Sequence, residues 1–504
     1  MKLLQILAQI TSDHEIFGDD KIIDQAQILD IALDSRKVGH NSIFFALIGK
    51  KNDGANFIEK ISENQRVVAV VSQNSNFDYQ KFIKTHRDSI IIVGDVVKIL
   101  HEFLQIFYQP LPQNIYAITG TNGKTSCAEF TRQILQFISK KSASIGTLGV
   151  NCDLKIKSQF ADSNLTTPDI VSLYKNLALL KNNGVDDVAI EVSSIGLEQR
   201  RIAGIDIKVG AFTNFTQDHL DYHLTMENYF TSKMLLFNEV LQVNHHAVLN
   251  ADIKEYSAIK DICQKRHLNI IDYGFNAQTL KLTRLDNQSA EFIYQQEYFA
   301  FKTNMIGDFQ IYNILCALGN VLSVHNLPKD QLKKILESLD NLRAADGRME
   351  FIATFRGAKI FIDFAHSPDA MKNVLQIAKK FCQNNLVVLF GCGGDRDQTK
   401  RPLMGQIACQ YADKVIISDD NPRSEDPQFI RQQIIAGCDQ YKIKEIADRK
   451  IAIAKTIAML QDGDVLIIAG KGHEDYQIIG DTKFEFNEEK IVKNAIAEIS
   501  KSTI

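Results

Sequence analysis

The heptapeptide Gly120-Thr121-Asn122-Gly123-Lys124-Thr125-Ser126 lies between an apolar run, Ile115-Tyr116-Ala117-Ile118, and a helix-like stretch from Cys127 to Leu135. A strand, a glycine-rich turn and a helix in that order form a phosphate cradle. Glycines let backbone N–H groups face an anion, the helix N-terminus adds its positive end, Lys124 reaches the β- and γ-phosphates, and Thr125 holds Mg²⁺. Only two residues separate Gly120 from Gly123, so the loop is shorter than the common nucleotide-binding form.

Cations beside a triphosphate need oxygen or imidazole donors, and two segments offer them. Val188-Ala189-Ile190-Glu191 ends an apolar run in a carboxylate, and Thr213-Asn214-Phe215-Thr216-Gln217-Asp218-His219 follows another. Glu191 and His219 are therefore expected to share Mg²⁺ with Thr125. Lys233 is the least expected residue nearby. With 226–240 read as one helix, Met226, Phe230, Lys233, Phe237 and Val240 form a stripe that the lysine interrupts. Burial there lowers the amine's pKa, and a neutral amine can take up CO₂ to become a carbamate, an anionic ligand. The alternative is snorkelling, with the stem on the core and the ammonium in water.

The elements that must position these groups read as α/β throughout. Short β-branched runs ending in Gly, Ser or Asp occur at 359–363, 385–391, 414–418 and 464–470, as in parallel strands whose C-terminal ends carry active loops. At 504 residues the chain is too long for one core. Leu111-Pro112-Gln113-Asn114 reads as a linker and Leu342-Arg343-Ala344 as a second boundary, which gives domains 1–110, 111–344 and 345–504. A net charge of −4 offers no basic field for nucleic acid. Eight cysteines without a C-x-x-C pair read as reduced core residues. The N-terminal apolar run is too short for a signal peptide or membrane span, so a cytoplasmic protein is expected.

The motifs together resemble the Mur ligase family. Those that carry the resemblance are the phosphate loop, Glu191-Val192-Ser193-Ser194, Asn214 to Asp221, Gly347-Arg348-Met349-Glu350, Asp363 to Ala370 and Gly470-Lys471-Gly472-His473-Glu474, in the family's order over almost the whole chain. The resemblance implies an N-terminal uridine-nucleotide domain, a central P-loop ATPase domain with a mostly parallel sheet, and a C-terminal Rossmann-like domain. It also implies ATP-dependent amide synthesis through an acyl phosphate, in peptidoglycan precursor synthesis, by a monomer. In the family the lysine matching Lys233 is carbamylated and serves a cation. Asn313, Arg348 and Asp363 match positions that contact adenine, phosphate and ribose.

Leu33, Ser35, Lys50, Lys51 and Asn52 match the uridine and diphosphate loops, and Thr166, Thr167, Ser193, Gln199 and Arg201 match contacts to the muramoyl dipeptide. Ile195 and Gln310 depart from the residues usual at their positions, His and Asn, without removing a group assigned to the chemistry. Asp420-Asn421-Pro422-Arg423 resembles the signature of members that add meso-2,6-diaminopimelate to UDP-N-acetylmuramoyl-L-alanyl-D-glutamate. A guanidinium suits that amino acid's distal carboxylate, with Arg396 a second cationic contact, Gly470 beside them and Glu474 receiving the distal ammonium. Lysine as substrate would leave a buried Arg423 unpaired, and such a site rejects the deficient analogue by about 10⁴. The remaining alternatives are a lysine-adding Mur ligase and a folylpolyglutamate synthetase-like ligase, which shares the short phosphate loop.

Overall fold

The computed structural model describes residues 1–49, 52–63, 66–161, 165–286, 288–438 and 440–502. Its packing divides into two compact units. Met1–Gln113, Asp153–Asp186 and Gln199–Asp206 form one; Asn114–Cys152, Asp187–Glu198 and Ile207–Ile504 form the other.

The first unit is built on five strands, β1 (His14–Phe17), β2 (Asp30–Ala32), β3 (Ser42–Ala46), β4 (Val68–Ser72) and β5 (Ile90–Gly94), in the order β1-β5-β4-β3-β2. All neighbours are parallel except β1 on β5. Strands β3 and β5 are buried along their length, Ser-Ile-Phe-Phe-Ala and Ile-Ile-Ile-Val-Gly, as expected of strands covered on both faces.

The second unit carries two larger sheets. One comprises β6 (Asn114–Thr119), β7 (Ser142–Gly146), β8 (Gly149–Cys152), β9 (Asp187–Glu191), β10 (Val209–Phe212), β11 (His246–Asn250), β12 (Asn269–Gly274), β13 (Leu280–Asp286), β14 (Ser289–Tyr294) and β15 (Glu297–Lys302). Its order is β15-β14-β13-β12-β11-β10-β6-β9-β7-β8, parallel from β7 to β13 with antiparallel strands at both edges. Strand β6 stands between β9 and β10, so the loop at its C-terminal end opens at the crevice where the strand order reverses. Helices Lys124–Phe137 and Asp308–Val324 pack together over this sheet through Cys127, Phe130, Ile134, Ile311, Ile314 and Leu318.

The other sheet comprises β16 (Glu350–Phe355), β17 (Ala358–Asp363), β18 (Leu386–Phe390), β19 (Lys414–Ile417), β20 (Ile443–Glu445) and β21 (Val465–Ala469), in the order β16-β17-β21-β18-β19-β20. Only β16 is antiparallel to its neighbour. A separate hairpin, β22 (Tyr476–Ile479) with β23 (Thr482–Glu485), follows it. The α/β class with mostly parallel sheets, expected from the apolar runs, is the class observed. All eight cysteines are unpaired thiols, buried or half-buried. Among the described residues no helix is long and apolar enough to cross a membrane.

Candidate active site

The phosphate loop joins β6 to the helix Lys124–Phe137, as its sequence implies. Gly123, at the helix N-cap, has φ +85°, a left-handed conformation that favours glycine, and a Cβ there would fall on Asn313 Oδ1. Side chains from the loop after β10 hold the turn. Asn122 N–H donates to Asn214 Oδ1 at 2.8 Å, and Thr121 N–H donates to the Asn214 carbonyl at 2.9 Å. Thr121 Oγ1 also accepts from Thr216 N–H at 3.0 Å. Asn214 was legible only as part of a motif, and the structure assigns it this bracing role.

Lys124 Nζ donates to the carbonyls of Gly120 at 3.0 Å and Thr121 at 2.7 Å. Lys233 Nζ donates to the same Gly120 carbonyl at 2.8 Å and lies 4.5 Å from the Tyr229 ring centre. Lys233 is 1% exposed, so snorkelling is overturned. The helix also differs from the single run expected over 226–240: it is α-helical over Met226–Leu235 and continues as a π-turn over Leu236–Val240. Burial, and then the charge of Lys124, push the Lys233 amine well below lysine's ordinary range.

Glu191, at the end of β9, is buried and accepts from Thr125 Oγ1 at 2.9 Å, Thr147 N–H at 2.9 Å and Thr147 Oγ1 at 3.2 Å. Gly146 makes that approach possible, because a Cβ there would overlap the Glu191 carboxylate. Burial raises the pKa of Glu191 against the opposing charges of Lys124 and Arg348. The adjacent Thr125 hydroxyl and Glu191 carboxylate are hard oxygen donors of the kind Mg²⁺ takes, and a carbamate on Lys233 would add another. Among the described residues no three His, Cys, Asp or Glu side chains gather as a metal site.

His219 follows β10 with φ +55°, and burial lowers its imidazole pKa to about 4 against the pull of Asp218. Asp218 itself is a hub. Lys400 Nζ lies 3.3 Å from its Oδ1, and His366 Nε2 lies 3.5 Å from its Oδ2. Burial raises Asp218, but the hydrogen bond from His366 and the charge of Lys400 outweigh it and hold the carboxyl well below its usual range. Lys400 went unread in the sequence, since 182 residues separate it from its partner.

A cavity of about 370 Å³ brings together Asn122, Gly123, Thr125, Ser126, Asn313, Arg348 and Asp363, all expected at the nucleotide, with Asn250, Asp252 and Tyr312 added. Arg348 donates to Thr125 Oγ1 at 3.2 Å and stacks on Phe364 at 4.5 Å. Asp363 fixes the segment carrying Arg348, accepting from Met349 N–H at 2.6 Å and Ala365 N–H at 2.7 Å. Asn313 Nδ2 donates to Gln310 Oε1 at 3.0 Å, which gives the unusual glutamine a place in the same wall.

At the C-terminal ends of β18, β19 and β21, the 420–423 loop is pinned by the hairpin. Gln477 Nε2 donates to the Asp420 carbonyl at 2.7 Å, Arg423 N–H to the Ile478 carbonyl at 3.1 Å, and Gly480 N–H to the Arg423 carbonyl at 2.8 Å. Arg423 has φ +52° and donates from Nη1 to the Gly394 carbonyl at 2.8 Å. It is half-buried, which corrects the buried guanidinium expected, and Arg396 is exposed. Burial and the like charge of Arg396 lower the Arg423 pKa, while Asp420 and Glu474 oppose this. Gly470 brings its backbone against the Asp420 carboxylate, and Glu474 Oε2 accepts from Asn421 Nδ2 at 2.8 Å beside buried Pro422.

In the first unit, Leu33, Ser35 and Asn52 line one cavity of about 740 Å³ together with Arg36, Phe57 and Lys60. Lys50 and Lys51, expected there, lie outside the described residues. Arg201 donates to the Thr167 carbonyl at 2.7 Å and to Gln199 Oε1 at 2.6 Å, so these three predicted residues meet, with Thr166 next in the chain. Ser193, in the second unit, accepts from Gly196 N–H at 3.0 Å.

The Mur ligase middle domain matches residues 118–321, and the Mur ligase, glutamate ligase domain matches 347–472. The UDP-N-acetylmuramoyl-L-alanyl-D-glutamate--2,6-diaminopimelate ligase of Rickettsia montanensis is 39% identical over 485 residues, 94% of this chain and 97% of that protein. The protein of the same name from Chelativorans sp. (strain BNC1) is 39% identical over 482 residues, covering 95% and 96%. A solved structure of such a ligase superposes with a TM-score of 0.61 at 30% identity, covering 96% and 97%. MurF from Acinetobacter baumannii, 16% identical with a TM-score of 0.66, shares the fold over 98% of both chains.

Proposed function

The chain belongs to the Mur ligase family, and we propose from that premise that it joins meso-2,6-diaminopimelate to UDP-N-acetylmuramoyl-L-alanyl-D-glutamate in peptidoglycan precursor synthesis. It is an ATP-dependent, amide-bond-forming ligase. The D-glutamyl γ-carboxylate attacks the γ-phosphorus of ATP, releasing ADP and leaving an acyl phosphate. The amine of diaminopimelate then attacks the activated carbonyl and phosphate leaves.

The first step brings two anions together, so positive charge must gather where they meet. Lys124 and the loop backbone carry the β- and γ-phosphates, Arg348 the phosphate side, and Asn313 and Asp363 the adenine and ribose. Thr125, Glu191, His219 and Lys233 as its carbamate would hold Mg²⁺, which neutralises the phosphate charge when bound. Leu33, Ser35, Lys50, Lys51 and Asn52 take the uridine diphosphate, and Thr166, Thr167, Ser193, Gln199 and Arg201 the dipeptide.

The observation that carries the choice of amine is the 420–423 loop. Arg423 is held at its backbone by the hairpin, with Glu474 and Arg396 as electrostatic neighbours, so one pocket offers a guanidinium for a carboxylate and a carboxylate for an ammonium. Arg396, Asp420, Asn421, Pro422, Arg423, Gly470 and Glu474 make up that pocket. We place the protein in the cytoplasm as a monomer of three domains, 1–110, 111–344 and 345–504, with small-molecule substrates and no nucleic-acid partner.

The test is phosphate release with ATP and Mg²⁺, each acceptor nucleotide and each amine supplied separately. Release that requires both the muramoyl dipeptide nucleotide and meso-diaminopimelate is the expected result. Equal release with L-lysine, or release with a folate acceptor and glutamate, overturns the reading.

A further inference from the structure

Lys471 is completely buried, and its charge is matched inside the protein rather than by water. A buried ammonium persists only where acceptors surround it. Its Nζ donates to Asn421 Oδ1 at 3.0 Å and to Glu474 Oε2 at 3.1 Å. Both acceptors belong to the pocket assigned above to the incoming diamino acid.

We propose that Lys471 is the positioning residue of the amine-acceptor pocket, acting by fixing the Asn421 amide and holding one oxygen of Glu474. The proposal rests on the functional reading above and adds a residue that touches no substrate.

The hydrogen-bond pattern leaves Asn421 one orientation. Its Oδ1 accepts from Lys471 and from Ile478 N–H at 2.9 Å, while its Nδ2 donates to Glu474 Oε2 at 2.8 Å. A flipped amide would set an NH₂ group against two donors and an oxygen against a carboxylate. Glu474 Oε2 thus takes two donors, and Oε1 makes no hydrogen bond among the described residues. The carboxylate presents a defined oxygen to an ammonium, with its charge partly offset by Lys471. Because Ile478 also accepts from Arg423 N–H, the same amide ties the ammonium end of the pocket to the carboxylate end.

The experiment compares wild type, Lys471→Met, Glu474→Gln and the double variant by phosphate release, titrating meso-diaminopimelate, ATP and the muramoyl dipeptide nucleotide in turn. Lys471→Met should raise the KM for meso-diaminopimelate at least tenfold. It should leave kcat within about threefold and the other two KM values within about twofold. The double variant should be no worse for the amine than the worse single one, because Lys471 acts through Glu474. An unmoved amine KM, a parallel rise in all three KM values, or multiplicative effects in the double variant overturns the assignment. Lys471→Gln, which keeps a donor for Asn421, replaces Lys471→Met if the latter does not fold, and is held to the same criteria. Wild type that releases no phosphate with meso-diaminopimelate overturns the functional reading itself, whereas wild-type turnover with an unmoved KM in the variant overturns this assignment alone.

Discussion

Lys124 and Lys233 donate to one acceptor, the Gly120 carbonyl, at 3.0 and 2.8 Å. A buried ammonium, Lys233, and a half-buried one, Lys124, repel at that distance, and the charged form is disfavoured more in the group with the weaker compensation. Burial lowers both amines. At Lys124 the charges of Glu191 and Asp218 oppose this and Arg348 adds to it, whereas at Lys233 Lys124 adds to the depression and only Asp218 opposes it. Lys233 is therefore the amine whose neutral form, the form that reacts with CO₂, is favoured more by its surroundings.

With ¹³C-bicarbonate, a labelled carbamate is expected on Lys233 near pH 8, where an ordinary lysine, with a pKa of about 10.4, stays charged. The signal should fade as pH drops through the lowered pKa. Without bicarbonate the folded protein binds fewer protons at this site than the unfolded chain, so its contribution to stability rises with pH from the lowered pKa to about 10.4. Urea midpoints at pH 7 and pH 9 should therefore separate wild type from Lys233→Met, with the steeper rise in wild type. Equal slopes and no label in wild type would refute a neutral Lys233.

Turnover should collapse in Lys233→Ala while ATP binding stays near wild type, and added short carboxylates should restore part of the rate by supplying the missing anion. Full activity in the variant sinks the carbamate's role.

Gly123→Ala tests the loop. The left-handed φ of +85° penalises any Cβ by roughly 1–2 kcal/mol, and this Cβ also meets Asn313 Oδ1. The KM for ATP should rise about tenfold or more, with binding of the uridine nucleotide unchanged. A variant with unaltered ATP kinetics means that the loop tolerates the displacement of Asn313.

Much of this was legible because it is local. The phosphate loop between strand and helix, and Glu191 at a strand end, each follow from a few adjacent residues. Spacing placed Lys233 on an apolar stripe but left burial and snorkelling open, and the π-turn after Leu235 could not be read from a stripe that fits a plain helix equally well. Contacts closed by the tertiary fold left no trace. Lys400 meets Asp218 across the chain, Thr147 meets Glu191 only because Gly146 lets the backbone approach, and Lys471 meets Asn421 from 50 residues away. The half-burial of Arg423 belongs here too, since periodicity says nothing about how far a loop arginine is covered.

Arg449 and Glu488 are both fully buried and joined at 2.6 Å, tying the helix Glu488–Ser502 to the sheet through the Ala469 carbonyl. Removing one charge strands the other, which costs about 3–5 kcal/mol, whereas replacing both with apolar side chains of similar volume is often close to neutral. Arg449→Met should therefore lower the denaturation midpoint sharply, and Arg449→Met with Glu488→Leu should recover most of the loss. A double variant as unstable as the single one would mean that packing, and not the stranded charge, dominates.

The half-burial of Arg423 sets the scale of its effect on amine choice. A fully water-excluded guanidinium would lose several kcal/mol with its partner, but this one is half-buried, so a charge-assisted contact of about 1.5–3 kcal/mol is the fitting scale. Since 1.4 kcal/mol is about tenfold, Arg423→Ala should raise the KM for meso-diaminopimelate by roughly ten- to a hundredfold. ATP kinetics should hardly move, because the nucleotide cavity is lined by other residues. Lysine should gain little in rate, yet the preference between the two amines should shrink by the same factor. The measurement is kcat/KM for both amines on both proteins. Wild type that uses the two amines equally, or a variant that keeps the wild-type ratio, would show that Arg423 does not read the distal carboxylate, and the choice of amine would then have to come from elsewhere in the pocket.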